Sequence, residues 1–279
     1  MRNMFNTLLV LLCMADLLVI FTILILCSRS LFAHNPLPDI LYTLSEGLCH
    51  VAISASIFMT ITITVERYYA VSHPFSYQVR LEEKGSRWIL SCYLIPVLLG
   101  SILLNIPKLL QISRVLPTIF GNSQKTLIKA GIIYQVVHPF TTTCILPIII
   151  FIIFNYHIVN ASKRRMSPSS KMALEINLAK IMMKIVIIFI ILNIPRVSLS
   201  IYEVSTIPNI LECYERHCRY HISSYRWLLD KIIRYLVILN SSSNFAIYCF
   251  AGSKFRTTLN NVGLKPFRRL INDAGFWDV

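Results

Sequence analysis

Hydrophobic residues in this chain are gathered into six long runs that polar segments separate. Each run holds at least about 20 residues, the number that an α-helix rising 1.5 Å per residue needs to cross a bilayer. The pattern therefore predicts six transmembrane helices in one domain over residues 1–279. The predicted spans are approximately 7–28, 40–68, 88–108, 132–159, 176–202 and 228–251.

A short segment after the last run has a different pattern. Over about 253–262, Phe255 and Leu259 fall on one face of a helix, whereas Lys254 and Arg256 fall off that face. This arrangement predicts an amphipathic helix that lies on the membrane surface.

Composition and charge support a membrane protein. Hydrophobic residues make up 55% of the 279 residues and charged residues 14%, and the mean hydropathy is +0.62. The net charge is +14, but the bases lie mainly between the apolar runs, so we attribute them to membrane orientation rather than to nucleic-acid binding. With a cytoplasmic N-terminus, fifteen lysines and arginines lie on the cytoplasmic side and eight on the other, which predicts both termini inside.

No motif of a catalytic or metal-binding protein accompanies this pattern. The sequence has no Gly-rich phosphate loop, zinc signature or nucleophile elbow, so we predict that it is not an enzyme and needs no cofactor. Five of the eight cysteines fall within apolar runs, where packing is their expected role. They are Cys13, Cys49, Cys92, Cys144 and Cys249.

The charged triplet Glu66-Arg67-Tyr68 lies where the second apolar run meets a polar segment. One interpretation is an arginine that anchors the helix end at the cytoplasmic surface. The other is a pair that exchanges partners, because adjacent opposite charges are costly near hydrocarbon.

Several motifs resemble those of rhodopsin-like (class A) G-protein-coupled receptors from the second helix of that family onward. The motifs are Leu11–Leu18 with Asp16, Glu66–Tyr68 with Ala70 and Val71, Pro74–Phe75, Trp88, Pro147, and Asn244–Tyr248. The resemblance covers nearly the whole chain. It implies an all-α transmembrane bundle of the seven-helix receptor type, with the second to seventh helices present, in the plasma membrane.

Three departures from the common family pattern are similar to invertebrate FMRFamide-type neuropeptide receptors. They are Asn193 in place of a tryptophan in Phe189–Arg196, the fourth-helix end Leu104–Lys108, and the seventh-helix segment Leu239–Phe245. The resemblance implies an extracellular peptide ligand and a cytoplasmic heterotrimeric G protein. The family's first helix has no counterpart here, which we interpret as an incomplete gene model or fragment, with a natural six-helix form as the alternative.

The resemblance also implies a switch at the cytoplasmic end. Glu175 precedes Pro195 by 20 residues, or about 30 Å of helix, which predicts that it lies level with Arg67 and holds it in the closed state. The alternative is a solvated acid paired with Lys171. The residues assigned to the switch and to G-protein coupling are Glu66, Arg67, Tyr68, Pro74, Phe75, Glu175 and Tyr248, with Asn193 and Pro195 as the pivot of the sixth helix.

Phe75 is an apolar residue in a polar loop, which predicts either a contact with a hydrophobic pocket of the G protein or a membrane anchor. On the fifth helix, Asn155 occupies the position where the family usually has a tyrosine that supports the arginine in the active state.

A set of oxygen-bearing side chains resembles the sodium pocket of the family. Asp16 is a lone carboxylate in an apolar run and needs a partner or a proton. Hard oxygen ligands suit a small cation, so the resemblance implies an allosteric sodium ion, with a protonated Asp16 in a hydrogen-bond network as the alternative. The predicted ligands are Asp16, Ser56, Asn240, Ser241 and Asn244.

The extracellular side lacks the disulfide usual in the family, since Tyr42 stands at the third-helix position and 109–133 contains no cysteine. Cys213 and Cys218 lie close enough in sequence to form a local disulfide in that oxidising compartment, with two free thiols as the alternative and Cys27 as a competing partner.

A peptide ending in an amidated Arg-Phe would need an acid for its arginine and an apolar slot for its phenylalanine. Glu203 and Asp230 are the predicted arginine partners, whereas Arg196 and Arg234 could instead bind acidic peptides or pair with those acids. The ligand candidates are Glu46, His50, Gln111, Tyr134, His138, Arg196, Glu203, Asp230 and Arg234.

Two alternatives to a signalling receptor stay open. A truncated product that does not signal would share the same motifs. A six-span transporter or channel would predict an internal repeat, a charged pathway or a re-entrant loop, and the sequence has none of them.

Overall fold

The described part of the chain is helical, as the sequence predicts. The computed structural model describes residues 2–31, 39–112, 133–134, 137–163, 170–216 and 224–251, and no strand occurs among them. The long helices are α1 (Arg2–Leu31), α2 (Asp39–Ser72), α3 (Pro74–Lys84), α4 (Ser86–Ile112), α5 (Leu146–Lys163), α6 (Ser170–Glu215) and α7 (Ser224–Ala251). The predicted surface helix over 253–262 lies outside the described residues.

Five helical stretches are long and apolar enough to cross a membrane, and one of them extends α5 toward the N-terminus through a π-helix at Phe140–Ile145. The candidate spans among the described residues are Met4–Ser28, Leu44–Ser72, Ser86–Ile106, Val137–Ala161 and Met183–Cys213. The sixth predicted span, 228–251, falls in α7, which at 28 residues is also long enough to cross. This helix carries Asp230, Lys231 and Arg234 in its first half, which lowers its apolar character.

The α2 helix lies at the centre of the bundle and packs against α1, α4, α5 and α6, while α1 and α6 also contact α7. At the end of the bundle that holds the N-terminus of α1, Phe5 and Leu8 of α1 and Ile63 of α2 belong to one buried cluster. Further along, Phe151 of α5 meets Phe189 of α6 edge to face, with ring centroids 5.2 Å apart. These contacts hold the polar side chains of α2 in fixed positions relative to their neighbours.

Large apolar side chains also cover the outside of the bundle. On α1, for example, Met14, Leu17, Phe21 and Leu24 are exposed. A contiguous apolar exterior is unstable in water but stable in lipid, so it indicates the face that meets the hydrocarbon of the bilayer.

The α6 helix is longer than the predicted span 176–202 and continues to Glu215. The apolar run predicted a membrane span over 176–202, and the helix extends beyond it because residues 203–215 contain no glycine and keep helical geometry. Pro195 and Pro208 both lie inside the helix. Since proline has no N–H, Pro195 leaves the carbonyl of Ile191 without its usual helical donor, which makes this turn a place where the helix can bend.

A short helix in the loop between α2 and α4 was not predicted. Steric clash with Pro74 disfavours the helical conformation of His73, whose ψ of 58° ends α2, and Pro74 then begins α3. At the other end, Gly85 adopts a φ of +72°, a left-handed conformation that glycine reaches at little cost. These two breaks bring α3 into contact with both α2 and α4.

Candidate functional site

A cluster of polar side chains surrounds Asp16 in the middle of the bundle. Ser56 of α2 donates a 2.6 Å hydrogen bond to Oδ1 of Asp16, and Asn244 of α7 donates one of 2.9 Å to Oδ2. Ser241, one helical turn before Asn244, lies near the same carboxylate. All four residues are buried, so three helices share one polar centre inside an apolar bundle.

A small cavity lies beside this centre. Its volume is about 20 Å³, which is enough for one water molecule or a small cation. Polar groups from three helices reach it, namely Ser56, Asn193, Arg196, Asn240 and Ser241. The cavity therefore joins residues predicted for the sodium pocket to the sixth-helix residue Asn193 and to the ligand candidate Arg196.

The residues around the cavity fit a hard cation better than a soft one. Hydroxyl, amide and carboxylate oxygens are the donors that small alkali and alkaline-earth cations prefer. Among the described residues there is no group of three histidine, cysteine, aspartate or glutamate side chains that could hold a metal ion. A site for sodium would instead use Asp16 together with neutral oxygens.

Arg67 and Glu66 form a buried ion pair near the C-terminal end of α2. The Nε of Arg67 lies 2.5 Å from Oε2 of Glu66, and its Nη2 lies 2.7 Å from Oε1. The side chains are 1% and 0% exposed. Charges this far from water remain ionised only when they are paired and hydrogen-bonded, so each depends on the other.

Two further aromatic side chains complete the surroundings of this pair. Tyr77 of α3 is buried and donates its hydroxyl hydrogen to Oε1 of Glu66. On the other side, the guanidinium of Arg67 lies 4.2 Å from the ring centroid of Phe5, a favourable cation–π distance. The pair is thus held by α1 and α3 as well as by its own helix.

The neighbouring Tyr68 faces α5 rather than the ion pair. Its ring centroid lies 5.2 Å from that of Phe154 and 5.9 Å from that of His157. Asn155, on the same helix, has a buried Oδ1 that accepts no hydrogen bond within the described residues. A buried acceptor without a hydrogen bond costs free energy in this arrangement.

The remaining switch residues lie on three helices, α3, α6 and α7. Pro74 is the first residue of α3, and the next residue, Phe75, is 79% exposed. Asn193 is buried and donates a 2.7 Å hydrogen bond to the carbonyl of Phe189. Glu175 lies in α6 and Tyr248 in α7, but their side chains are outside those that the structure describes.

On the opposite side of the bundle, the two acids that we predicted as peptide partners already have arginine partners. Glu203 accepts hydrogen bonds of 2.8 and 3.2 Å from Arg226, and Asp230 lies 3.0 Å from Arg234. Arg234 thus pairs with an acid of its own chain, which was the alternative to binding an acidic peptide. Within the described residues no ion pair is made by Glu46, which is half-buried.

The other ligand candidates divide into three groups. The ring of Tyr134 stacks on His138 with centroids 4.8 Å apart, and its hydroxyl donates to the carbonyl of Leu104. Arg196, Arg234 and Glu46 all lie in the part of the bundle around Cys49. His50 is half-buried, and the side chain of Gln111 is not described.

Cys213 is part of a disulfide whose other cysteine lies outside the described side chains. Cys27, which we considered as a competing partner, forms no disulfide, and neither do Cys13, Cys49, Cys92 and Cys144. Cys218 lies outside the described residues.

Three contacts were missed in the sequence. Tyr77 is one turn into a helix that begins at Pro74, and that proline was the signal that could have revealed the helix. Asn105 lies in the segment Leu104–Lys108, to which we had assigned no contact. Its Nδ2 donates a 3.0 Å hydrogen bond to the hydroxyl of Ser54 and so connects α4 to α2. The third is Arg226, which had no distinguishing pattern around it.

Comparison with known proteins gives two results. A family model described as "7 transmembrane receptor (rhodopsin family)" matches residues 1–248. The FMRFamide receptor of Drosophila melanogaster is 29% identical over 244 residues, which is 80% of this chain and 39% of that protein. The chain thus spans well under half of the length of this curated relative.

Proposed function

The chain belongs to the rhodopsin family of seven-transmembrane receptors, and we propose that it converts the binding of an extracellular neuropeptide into activation of a heterotrimeric G protein. As a member of this family it is a multi-pass plasma-membrane receptor and not an enzyme. The main support for this signalling role is the buried Glu66–Arg67 pair. A buried charge pair that can separate allows the protein to change between a closed and an open form.

Opening would begin in α6. Displacement of this helix around Pro195 separates its cytoplasmic end from α2 and exposes the region of Arg67. The ligand acts by binding the open form more tightly than the closed one. Glu175 is the predicted acid on α6 that holds Arg67 in the closed form, and Glu175→Ala raises basal signalling under this proposal.

The open state needs new partners for Arg67. Asn155 supports this role, since its buried Oδ1 is an acceptor with no hydrogen bond in the closed arrangement. In the family a tyrosine at this position supports the arginine. Here the amide oxygen of Asn155 accepts a hydrogen bond from Arg67 instead. Phe75 lies on the cytoplasmic loop helix with 79% of its side chain exposed, as expected of a residue that enters an apolar pocket of the G protein.

Two observations support an amidated peptide with a basic residue near its end. The relative from Drosophila is named an FMRFamide receptor. Glu46 is an acid on the outer half of α2 with no ion pair within the described residues, whereas Glu203 and Asp230 are already neutralised. We therefore assign the arginine of the peptide to Glu46, with Tyr134 and His138 on the aromatic side of the site.

A sodium ion beside Asp16 would stabilise the closed form. The oxygens of Ser56, Asn240 and Ser241 line a cavity of the right size next to the carboxylate. The ion supplies a positive charge that balances Asp16, and it favours the closed form because it binds that form more tightly than the open one.

The deciding experiment is a peptide screen on cells that display this receptor, with G-protein activation as the readout. Amidated Arg-Phe peptides activate the protein, and the same peptides with a free carboxyl terminus are much weaker. Glu46→Gln lowers the potency of the active peptide at least about ten-fold, as loss of a charged hydrogen bond predicts. Glu203→Gln is the matched control and leaves potency within about three-fold.

The proposal fails if no amidated peptide activates the receptor at verified surface expression. The assignment of Glu46 fails separately if an active peptide is found and Glu203→Gln weakens it more than Glu46→Gln does.

A further inference from the structure

A second cavity lies at the cytoplasmic end of the bundle, away from the polar centre around Asp16. It has a volume of about 320 Å³, which falls in the range of small-molecule binding sites. It is bounded by the end of α2, by α3 and by the start of α4. The residues that line it are Tyr69, His73, Ser76, Tyr77, Arg80, Ile89 and Tyr93.

The lining combines an aromatic wall with a basic rim. Three tyrosines and Ile89 supply the wall, and tyrosines favour the boundary between hydrocarbon and water because each ring carries a polar end. His73 and Arg80 are exposed at the rim. Arg80 lines the cavity together with Tyr93, so a positive charge lies beside the aromatic wall.

The charges nearby favour an anion. The acids Glu82 and Glu83 of the same helix are exposed and do not line the cavity. Glu66 is buried behind Tyr77 and is already neutralised by Arg67. Among the described residues that line the cavity, Arg80 is therefore the one with a permanent charge, and the imidazole of His73 lies beside it.

The position of the cavity in the membrane indicates which kind of anion it binds. Tyr69 and His73 flank the end of the candidate span Leu44–Ser72, and Tyr93 lies in the span Ser86–Ile106. The cavity is thus at the level where lipid head groups meet the cytoplasm, and the inner leaflet is the one that carries acidic phospholipids. From these observations we propose that this cavity binds the phosphate-bearing head group of an acidic membrane phospholipid.

Occupation of the cavity is linked to the ion pair of α2. Tyr77 lines the cavity with its ring and donates its hydroxyl hydrogen to Glu66. A bound head group fixes the position of α3 and hence of Tyr77, which strengthens the closed Glu66–Arg67 contact. This regulatory part rests on the proposed switch, whereas binding of the lipid does not.

The test uses the full chain in lipid nanodiscs and measures which lipids stay bound after transfer to detergent. In mass spectrometry of the intact protein, phosphatidylserine is retained in preference to phosphatidylcholine. Arg80→Gln weakens that preference about five-fold, the contribution of one basic residue near an anionic membrane surface. Lys84→Gln is the matched control, because Lys84 lies on the same helix but stacks on Trp88, 4.7 Å from the ring centroid, and does not line the cavity.

A second variant removes space instead of charge. Ser76→Phe fills the cavity from an exposed position, so it lowers retention of phosphatidylserine without changing the net charge. Unchanged thermal unfolding of both variants excludes a general loss of structure as the cause.

Equal loss in Arg80→Gln and Lys84→Gln would overturn the proposal, since it would mean attraction to the membrane surface as a whole. Binding of inorganic phosphate that depends on Arg80, without enrichment of phosphatidylserine, would overturn the assignment to a lipid. Lipid retention is measured without peptide or G protein. A receptor that binds the lipid but fails to signal would refute the proposed function alone.

Discussion

Asn244 donates a 2.9 Å hydrogen bond from its Nδ2 to Oδ2 of Asp16, which joins the last described helix to the first. Both side chains are buried. The contact links residues that are 228 positions apart and closes the bundle around α2. Its removal has a predictable cost.

Replacement of Asn244 by alanine leaves Oδ2 of Asp16 without this donor. A buried charged group that loses a hydrogen bond destabilises a protein by about 1–3 kcal/mol, so we expect a lower midpoint of thermal unfolding for Asn244→Ala in detergent. The matched control is Ser243→Ala on the adjacent face, where the hydroxyl donates to the carbonyl of Asn240 in its own helix. An equal loss of stability in the two variants would contradict a special role for the Asp16 contact.

Asp16 itself is expected to govern the response to sodium. In the proposed function, sodium lowers agonist affinity because it stabilises the closed bundle. Asp16→Asn removes the charge but keeps the shape of the side chain, so agonist affinity becomes insensitive to replacement of sodium by a larger cation. The check is competition binding in the two salts, and sensitivity that persists in Asp16→Asn would place the ion elsewhere.

Tyr77→Phe is expected to raise basal G-protein activation. The variant keeps the ring in its buried position but removes the hydrogen bond to Glu66. A bond to a charged group contributes about 1.5–3 kcal/mol, so its loss shifts the balance of closed and open forms at least about ten-fold toward the open form. Basal nucleotide exchange at matched surface expression measures this shift.

Tyr93→Phe serves as the control for that experiment, because Tyr93 lines the same cavity but has no such bond to Glu66 among the described contacts. If the two variants have the same basal activity, the hydroxyl of Tyr77 does not hold the switch closed.

Asn155→Leu is expected to weaken the open state without destabilising the closed state. Leucine has a similar volume and no buried acceptor, so the closed form is expected to be as stable as before or more stable. The maximal response to agonist falls, since Arg67 loses its proposed partner. Tyr156→Phe, one residue further and 65% exposed, is the control. A full response in Asn155→Leu would show that Arg67 finds another partner.

The disulfide of Cys213 can be mapped by proteolysis. If Cys218 is the partner, trypsin cuts the chain after Arg216, between the two cysteines, and the resulting peptides stay linked until a reductant is added. Mass spectrometry under non-reducing conditions detects the linked pair. Recovery of a separate, alkylated Cys218 peptide without reduction would assign Cys213 to another cysteine.

Patterns among residues that are close in sequence were sufficient to predict the helices and the family of this protein. The length of the apolar runs predicted the helices, and motifs around Asp16, Arg67 and Asn244 were sufficient for the family. Hydrophobic length and helical spacing depend on neighbours in sequence, so a single chain reveals them. The end of α6 was the exception, because hydropathy alone does not stop a helix that lacks glycine.

The tertiary structure decided which charges face one another. The sequence indicated Glu203 and Asp230 as ligand contacts, and the structure pairs them with Arg226 and Arg234. Tyr77 was not assigned a role until α3 turned it onto Glu66. The sequence by itself determined that this protein is a bundle of membrane helices with a charged pair at one end. The partners of that pair depend on the rotation and register of separate helices, and packing between helices sets both.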